Sequence, residues 1–191
     1  MALYTSTYLN SLTERTSLNE SQRMFSETKA KTSFDIFLSH SFLDRNEVKG
    51  LFIDLTRMGF SVYVDWIVDP HLDRSNVTKE TAILVRKRLE SSKSLLLGIS
   101  VNASISRWMP WELGVVDGHT KNCAIMPVSK LPTPPKSYKG LEYLSLYPFV
   151  SRELDTMNVM KLWVVEESDK YVTIENWISG SKPSFKSTNI F

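Results

Sequence analysis

Phe34-Asp35-Ile36-Phe37-Leu38-Ser39-His40-Ser41 is the stretch from which the fold of this chain is read. A short apolar run that breaks into Ser-His-Ser is the pattern of a buried strand ending in a polar turn. Just beyond it Val48, Leu51, Phe52, Leu55 and Met58 recur at helical spacing, and Gly59 stands where a helix ends. Residues 60–66 are β-branched and aromatic and predict a second strand. Residues 67–75 hold Asp69, Pro70, His71, Asp73 and Arg74 and predict a polar surface loop. Asn76 or Thr78 is placed to cap a helix running to about Glu90, and residues 94–100 form a third apolar run. Pro110 suits the first turn of a helix that passes Val116. Residues 123–128 predict a fourth strand, 131–137 a Pro-rich loop, 141–146 and 161–165 two more strands, and 171–178 a last helix.

Strands alternating with helices about every 30 residues predict a parallel sheet covered by helices, with right-handed crossovers. Ligands of such sheets sit beyond the carboxyl ends of the strands. That rule selects Ser39-His40-Ser41, Asp65-Trp66 and Ser100-Val101-Asn102. Residues 1–31 differ from the rest: they are polar, with thinly spaced Leu9, Leu12, Leu18, Met24 and Phe25, and predict an N-terminal extension with one weak helix.

Composition narrows the function. The 191 residues suit one domain with extensions or two small ones. Five Trp, seven Tyr and nine Phe exclude a disordered chain. No apolar run approaches the roughly 20 residues that span a bilayer, and no basic start precedes an apolar segment as in a secretory signal. A lone Cys123 excludes an intrachain disulfide and disfavours a cysteine zinc site. The net charge of +2 argues no nucleic-acid contact. The expectation is a soluble cytoplasmic protein bound to neither membrane nor nucleic acid. No Gly-x-Gly-x-x-Gly, phosphate-cradling loop or nucleophile elbow occurs, and His40, His71 and His119 lack metal-ligand spacing, so no metal is expected. Arg86-Lys87-Arg88 reads as a solvated helix face.

Two segments carry chemistry. In Ser39-His40-Ser41, neighbouring residues of a strand point to opposite faces, so His40 does not serve Ser39 as a base. The turn either bonds a ligand or merely ends the strand. In Ser106-Arg107-Trp108-Met109-Pro110-Trp111-Glu112-Leu113-Gly114, Trp108, Glu112 and Val115 share one helix face. A carboxylate beside indole is costly unless it has a partner or chemical work. The alternatives are pairing with Arg107 or Lys121, or acid–base and ion-stabilising duty; Trp66 and Trp111 are core residues by default.

These motifs together resemble TIR domains. Residues 34–41 with Asp44 are similar to the first TIR motif, and Val62-Tyr63-Val64-Asp65 to the second strand. Residues 66–76 hold the place of the BB loop and 94–100 that of the third strand. Trp108-Met109-Pro110-Trp111-Glu112 matches the Trp-x-x-x-Glu of NAD-cleaving TIR enzymes, and Ala124-Ile125-Met126-Pro127-Val128 resembles the strand that follows. Many TIR enzymes have Tyr or Phe where His40 stands. The resemblance covers residues 32–165, leaving extensions at 1–31 and 166–191, the latter expected to pack on the domain. Residues 62–118 are nearest in wording to the bacterial subgroup of Thoeris anti-phage defence.

The resemblance implies a flavodoxin-like three-layer α/β fold with five parallel strands ordered 2-1-3-4-5. It implies cleavage of NAD between nicotinamide and ribose, with Glu112 as the catalytic carboxylate beside an oxocarbenium-like transition state. Ser39, His40, Phe42, Asp44, Asp65, Trp66 and Trp108 would contact substrate. NAD is the substrate, and no cofactor or metal is called for. The implied product is a cyclic ADP-ribose isomer, a second messenger for a separate effector in antiviral defence, with a phage-derived trigger and self-association through the loop at 67–75. The rival is a non-enzymatic adaptor working through TIR–TIR contacts, which has no chemical need of Glu112. A nucleotide-binding or response domain of flavodoxin type calls for an acidic pocket or a glycine loop, and neither is present.

Overall fold

Tyr4–Thr5 forms strand β1, and the Thr5 hydroxyl accepts from the Tyr8 amide to start helix α1, Ser6–Arg15. Ser17 does the same for α2, Leu18–Lys29, by accepting from the Glu20 amide. The segment expected to hold one weak helix therefore holds two. Each buries only a narrow stripe, which is why its apolar residues are sparse: Leu9 in α1 and Met24 in α2 are buried. The computed structural model describes residues 3–72, 74, 78–100, 102–120, 122–131 and 142–185. Asn76, Val101, Lys121, part of the loop 67–75 and residues 132–137 of the Pro-rich loop lie outside the described residues.

The main body follows as β2 (Phe34–Ser39), α3 (Arg45–Arg57), β3 (Val62–Tyr63), α4 (Asp65–Val68), α5 (Lys79–Glu90), β4 (Ser92–Ile99), α6 (Trp108–His119) and β5 (Cys123–Ser129). After these come β6 (Phe149–Leu154), β7 (Met160–Glu167), β8 (Lys170–Thr173), α7 (Ile174–Ile178) and β9 (Ser184–Phe185). Gly59, at φ 95°, ends the α3 turn in the left-handed region as its position implied. Thr78 caps α5 by accepting from the Thr81 amide at 3.2 Å.

The sheet runs β3-β2-β4-β5-β6-β7-β8-β9, with β1 paired to β5. Its first five members are parallel, which is the expected 2-1-3-4-5 order. Three details differ from expectation. The second strand spans only two residues, because the chain turns into α4 at Asp65. The fifth strand is Phe149–Leu154, whereas Glu142–Leu146 closes into a 3-10 turn. The sheet then continues antiparallel through β7, β8 and β9. A tight hairpin makes that reversal: the Asp155 carboxylate accepts from the Met157 and Val159 amides, and Asn158 adopts φ 60°. Tyr171-Val172-Thr173 opens what was expected to be helix and is instead strand, as its β-branched residues favour.

Strand alternation splits the core between the two faces of the sheet. Ile36 and Leu38 of β2 and Leu96 of β4 join Leu9, Leu51, Phe52 and Trp177 on one side. Phe37, Leu95 and Leu97 face the other, with Tyr63, Leu89, Trp108 and Leu113. Helix α1 lies so close on α3 that a Cβ at Gly50 would stand 2.5 Å from the Leu9 carbonyl oxygen. Polar bonds pin it there: the Tyr4 and Tyr8 hydroxyls donate to the two oxygens of Asp54 at 2.8 and 3.0 Å, and Arg152 of β6 donates to the Tyr8 hydroxyl. The packing brings the carboxyl end of β2 to α6, where Ser39 meets Glu112, and ties the turns after β2 and β4 together through Asp44.

Candidate active site

Ser39 is the last residue of β2, and its side chain is buried toward α6. Its hydroxyl donates to Glu112 Oε2 at 2.5 Å, with Ser39 1% and Glu112 0% exposed. The second carboxylate oxygen, Oε1, accepts from Arg74. The same guanidinium forms an ion pair with Asp65 at the start of α4. Trp108 lies one turn before Glu112. Its indole N–H donates to the Arg74 carbonyl at 2.9 Å, and its ring centroid is 5.6 Å from the guanidinium carbon. Arg74 is thus held through both side chain and backbone. Burial works against its charge, but the carboxylates of Glu112 and Asp65 outweigh that and hold its pKa above the ordinary value.

A cavity of about 550 Å³ opens above this cluster, walled by His40, Asp65, Trp66, Leu72, Arg74 and Trp108. Phe42, Leu43 and Ile105 form an apolar rim, each more than half exposed. The volume lies within the range of small-molecule sites. Arg74 stands between the cavity and Glu112, which has no exposed surface of its own. His40 Nδ1 lies 2.9 Å from the Leu38 carbonyl oxygen, and Nε2 lies 3.5 Å from Asp65 Oδ1. Trp66 is wedged between Phe25, edge-on at 6.0 Å, and the Arg45 guanidinium at 4.6 Å from its centroid. Among the described residues no group of three or more His, Cys, Asp and Glu is placed to hold a metal ion.

Most of the residues expected at the site from sequence come together here: Ser39, His40, Phe42, Asp65, Trp66 and Trp108 surround the cavity or its buried carboxylate. Asp44 does not. Its carboxylate accepts from Ser100 Oγ at 2.5 Å and Asn102 Nδ2 at 2.7 Å, tying the turns after β2 and β4 together below the rim. The pairing of Glu112 with Arg107 or Lys121 gives way to Arg74. The loop 67–75 is less of a free surface than its polarity implied. Arg74 turns inward, and Asp69 is buried and accepts from Arg88 Nε and Nη2, each at 2.8 Å, and from the Tyr63 hydroxyl at 2.9 Å. Burial pushes the Asp69 carboxyl up, yet the Arg88 and Tyr63 hydrogen bonds outweigh it and hold the group below its usual range. Sequence reasoning missed Arg74 and Ile105 as parts of the site. The one available signal for Arg74 is that Glu112 and Asp65, if both buried, need a cation between them.

No protein-family model matches the chain. Over 146 residues, 76% of this chain and 75% of the relative, it is 47% identical to a Bacillus cereus (strain MSX-D12) protein named a probable 3′ cyclic ADP-D-ribose synthase, ThsB′. This chain belongs to the ThsB-like bacterial TIR family. A second relative, named as a candidate cyclic ADP-D-ribose synthase, TIR2, from Cytobacillus dafuensis, is 32% identical over 84 residues, 44% of the ThsB-like chain and 22% of the relative. Among solved structures, the TIR domain of the Toll-related receptor TRR-2 of Hydra magnipapillata is similar with a TM-score of 0.40 at 19% identity, covering 59% of this chain and 81% of that one. No helix among the described residues of the ThsB-like chain is long and apolar enough to cross a membrane.

Proposed function

We propose that this protein cleaves NAD at the nicotinamide–ribose bond and closes the ADP-ribosyl product into a cyclic isomer. The observation that carries the reading is Glu112: a carboxylate with no exposed surface, fixed by Ser39 and covered by Arg74, which walls a substrate-sized cavity. When the C1′–N bond breaks, its electron pair stays on the nicotinamide nitrogen and positive charge develops on the ribose. A preorganised carboxylate next to that carbon lowers the barrier. Glu112 is that group, and Ser39 keeps it oriented. Trp108 and Phe42 offer flat apolar surface to the nicotinamide and adenine rings, Trp66 adds to the cavity wall, and His40 and Asp65 offer polar atoms to hydroxyl groups. A nucleophilic atom of the same molecule then attacks the cationic carbon in place of water and closes the ring; where that atom is a hydroxyl oxygen, its proton is released. The relatives' names, both cyclic ADP-ribose synthases, favour this ring closure over capture by water.

In this reading residues 32–165 carry the chemistry, with 1–31 and 166–191 as extensions. The protein works in the cytoplasm. Its product signals to a separate effector in anti-phage defence, set off by a phage-derived trigger, and the region 67–75 contacts a second copy. NAD is consumed as substrate, with no cofactor or metal. The test is mass spectrometry of the nucleotides formed from NAD by wild type and Glu112→Gln across a range of protein concentrations. Nicotinamide plus a cyclic ADP-ribose is expected from wild type and not from the variant. Linear ADP-ribose alone removes the cyclisation, and no nicotinamide at any concentration leaves the adaptor reading in its place.

A further inference from the structure

We infer that Arg74 is a resident cation that holds the place of the substrate's cationic nicotinamide–ribose group and competes with it for Glu112. This rests on the NAD-cleaving reading above. Both oxygens of the carboxylate are taken, Oε2 by Ser39 and Oε1 by Arg74, and Glu112 has no exposed surface. A ribose or nicotinamide group entering the cavity therefore meets the guanidinium first, since Arg74 is a wall of the cavity and 18% of its side chain is exposed. Of the two contacts on Glu112 among the described residues, that of Arg74 comes from a loop. Ser39 lies within β2, in register with Leu97 of β4, and is not free to leave.

The surroundings of Arg74 form a recognition set for a flat cation: two carboxylates, Glu112 and Asp65, and the Trp108 ring at 5.6 Å. The pyridinium of NAD is a flat cation, and the ribosyl cation that forms on cleavage carries the same charge. Exchange of one for the other keeps the charge of the pocket constant, so neither carboxylate is left buried and unpaired. Departure of Arg74 without a replacement would take the guanidinium from both carboxylates, leaving Glu112 with the Ser39 hydroxyl and Asp65 with His40 and the Trp66 amide among the described residues. The arrangement thus favours a closed, idle site until a cation of suitable shape displaces the guanidinium. The apparent affinity for substrate is reduced by the fraction of chains in which Arg74 has already left; if that fraction is about 1%, the reduction is about 100-fold.

The experiment measures two quantities on the full chain: nicotinamide release from NAD, and equilibrium binding of a carbocyclic NAD analogue whose nicotinamide bond does not break. Arg74→Ala is expected to bind the analogue at least tenfold more tightly than wild type and to show a lower KM. Arg74→Lys is expected to fall between them, because a single ammonium does not span two carboxylates as a guanidinium fork does. Cooperative thermal unfolding is checked for each, and Arg74→Gln replaces Arg74→Ala if the latter does not fold. Unchanged or weaker analogue binding in a folded Arg74→Ala or Arg74→Gln protein overturns the inference and makes the guanidinium a substrate contact or a structural brace. Tighter analogue binding without nicotinamide release from any variant keeps the competition and removes the NAD-cleaving reading. Release that depends on Glu112 together with weaker binding in the Arg74 variant does the reverse.

Discussion

Ser39→Ala tests the geometry beneath the site most directly. The substitution leaves the β2 backbone free to pair as before and removes one oxygen, which donates to Glu112 Oε2 at 2.5 Å. A hydrogen bond to a charged group contributes about 1.5–3 kcal/mol, against about 0.5–1.5 kcal/mol for a neutral pair. Because Ser39 is 1% and Glu112 0% exposed, solvent does not replace the lost donor, and the full charged value applies. For a chain of this size each kcal/mol lowers Tm by about 2–4 °C, so Ser39→Ala lowers it by about 3–12 °C. In Glu112→Gln the side-chain amide oxygen still accepts from Ser39, but as a neutral partner. The double variant Ser39→Ala/Glu112→Gln is therefore more stable than additivity predicts by about 1–1.5 kcal/mol. Urea denaturation of wild type, both single variants and the double variant supplies the four stabilities. A loss below about 0.5 kcal/mol in Ser39→Ala, or a coupling under about 0.3 kcal/mol, shows that the hydroxyl does not anchor the carboxylate.

Glu112→Gln itself lowers nicotinamide release by about two orders of magnitude or more, the usual worth of a catalytic carboxylate, while the protein stays folded by circular dichroism; activity within a few-fold of wild type refutes the role. The depressed Asp69 carboxyl gives a pH signature. A group whose folded pKa lies below its unfolded value stabilises above the unfolded pKa, about 4, and loses that contribution as pH falls through the folded value. The stability gap between wild type and Asp69→Asn is accordingly largest near neutral pH and narrows below about pH 4 in acid-titrated urea melts; a gap that is flat or widens in acid contradicts the pairing with Arg88. Burial, with Asp117 nearby, pushes the Cys123 thiol up to about 12, so a disulfide reagent at pH 8 reacts with the native chain far more slowly than with the chain in urea. Equal rates in the two conditions place the thiol at the surface.

Much of this protein was legible residue by residue. The alternation along Phe34–Ser39, the helical spacing of Val48 to Met58, and the Trp-x-x-x-Glu at Trp108 and Glu112 depend only on neighbours in the chain. Local conformation sets which side chains share a face, so the parallel core, the place of the cavity beyond the carboxyl ends of the strands and the common helix face of Trp108 and Glu112 follow from order alone. Sequence and structure part where local pattern underdetermines conformation. Residues 141–146 alternate as a strand would, yet Glu142–Leu146 closes into a 3-10 turn and the strand forms at Phe149–Leu154. Polar Arg74 and Asp69 read as solvent-facing because nothing near them in sequence requires burial.

What tertiary structure alone decided is which charge meets which. Ser39 and Glu112 are 73 residues apart in the chain, and Arg74 and Glu112 are 38 apart. Coulombic attraction and hydrogen bonding act through space, over a few ångströms, and the cost of burying a charge is set by whatever the packed elements bring to it. The sequence determined that a carboxylate would lie beside an indole on α6. Only the convergence of β2, α4 and α6 with the stretch bearing Arg74 decided that this carboxylate is buried, oriented by a serine and covered by an arginine, because those partners become neighbours only after the sheet has assembled.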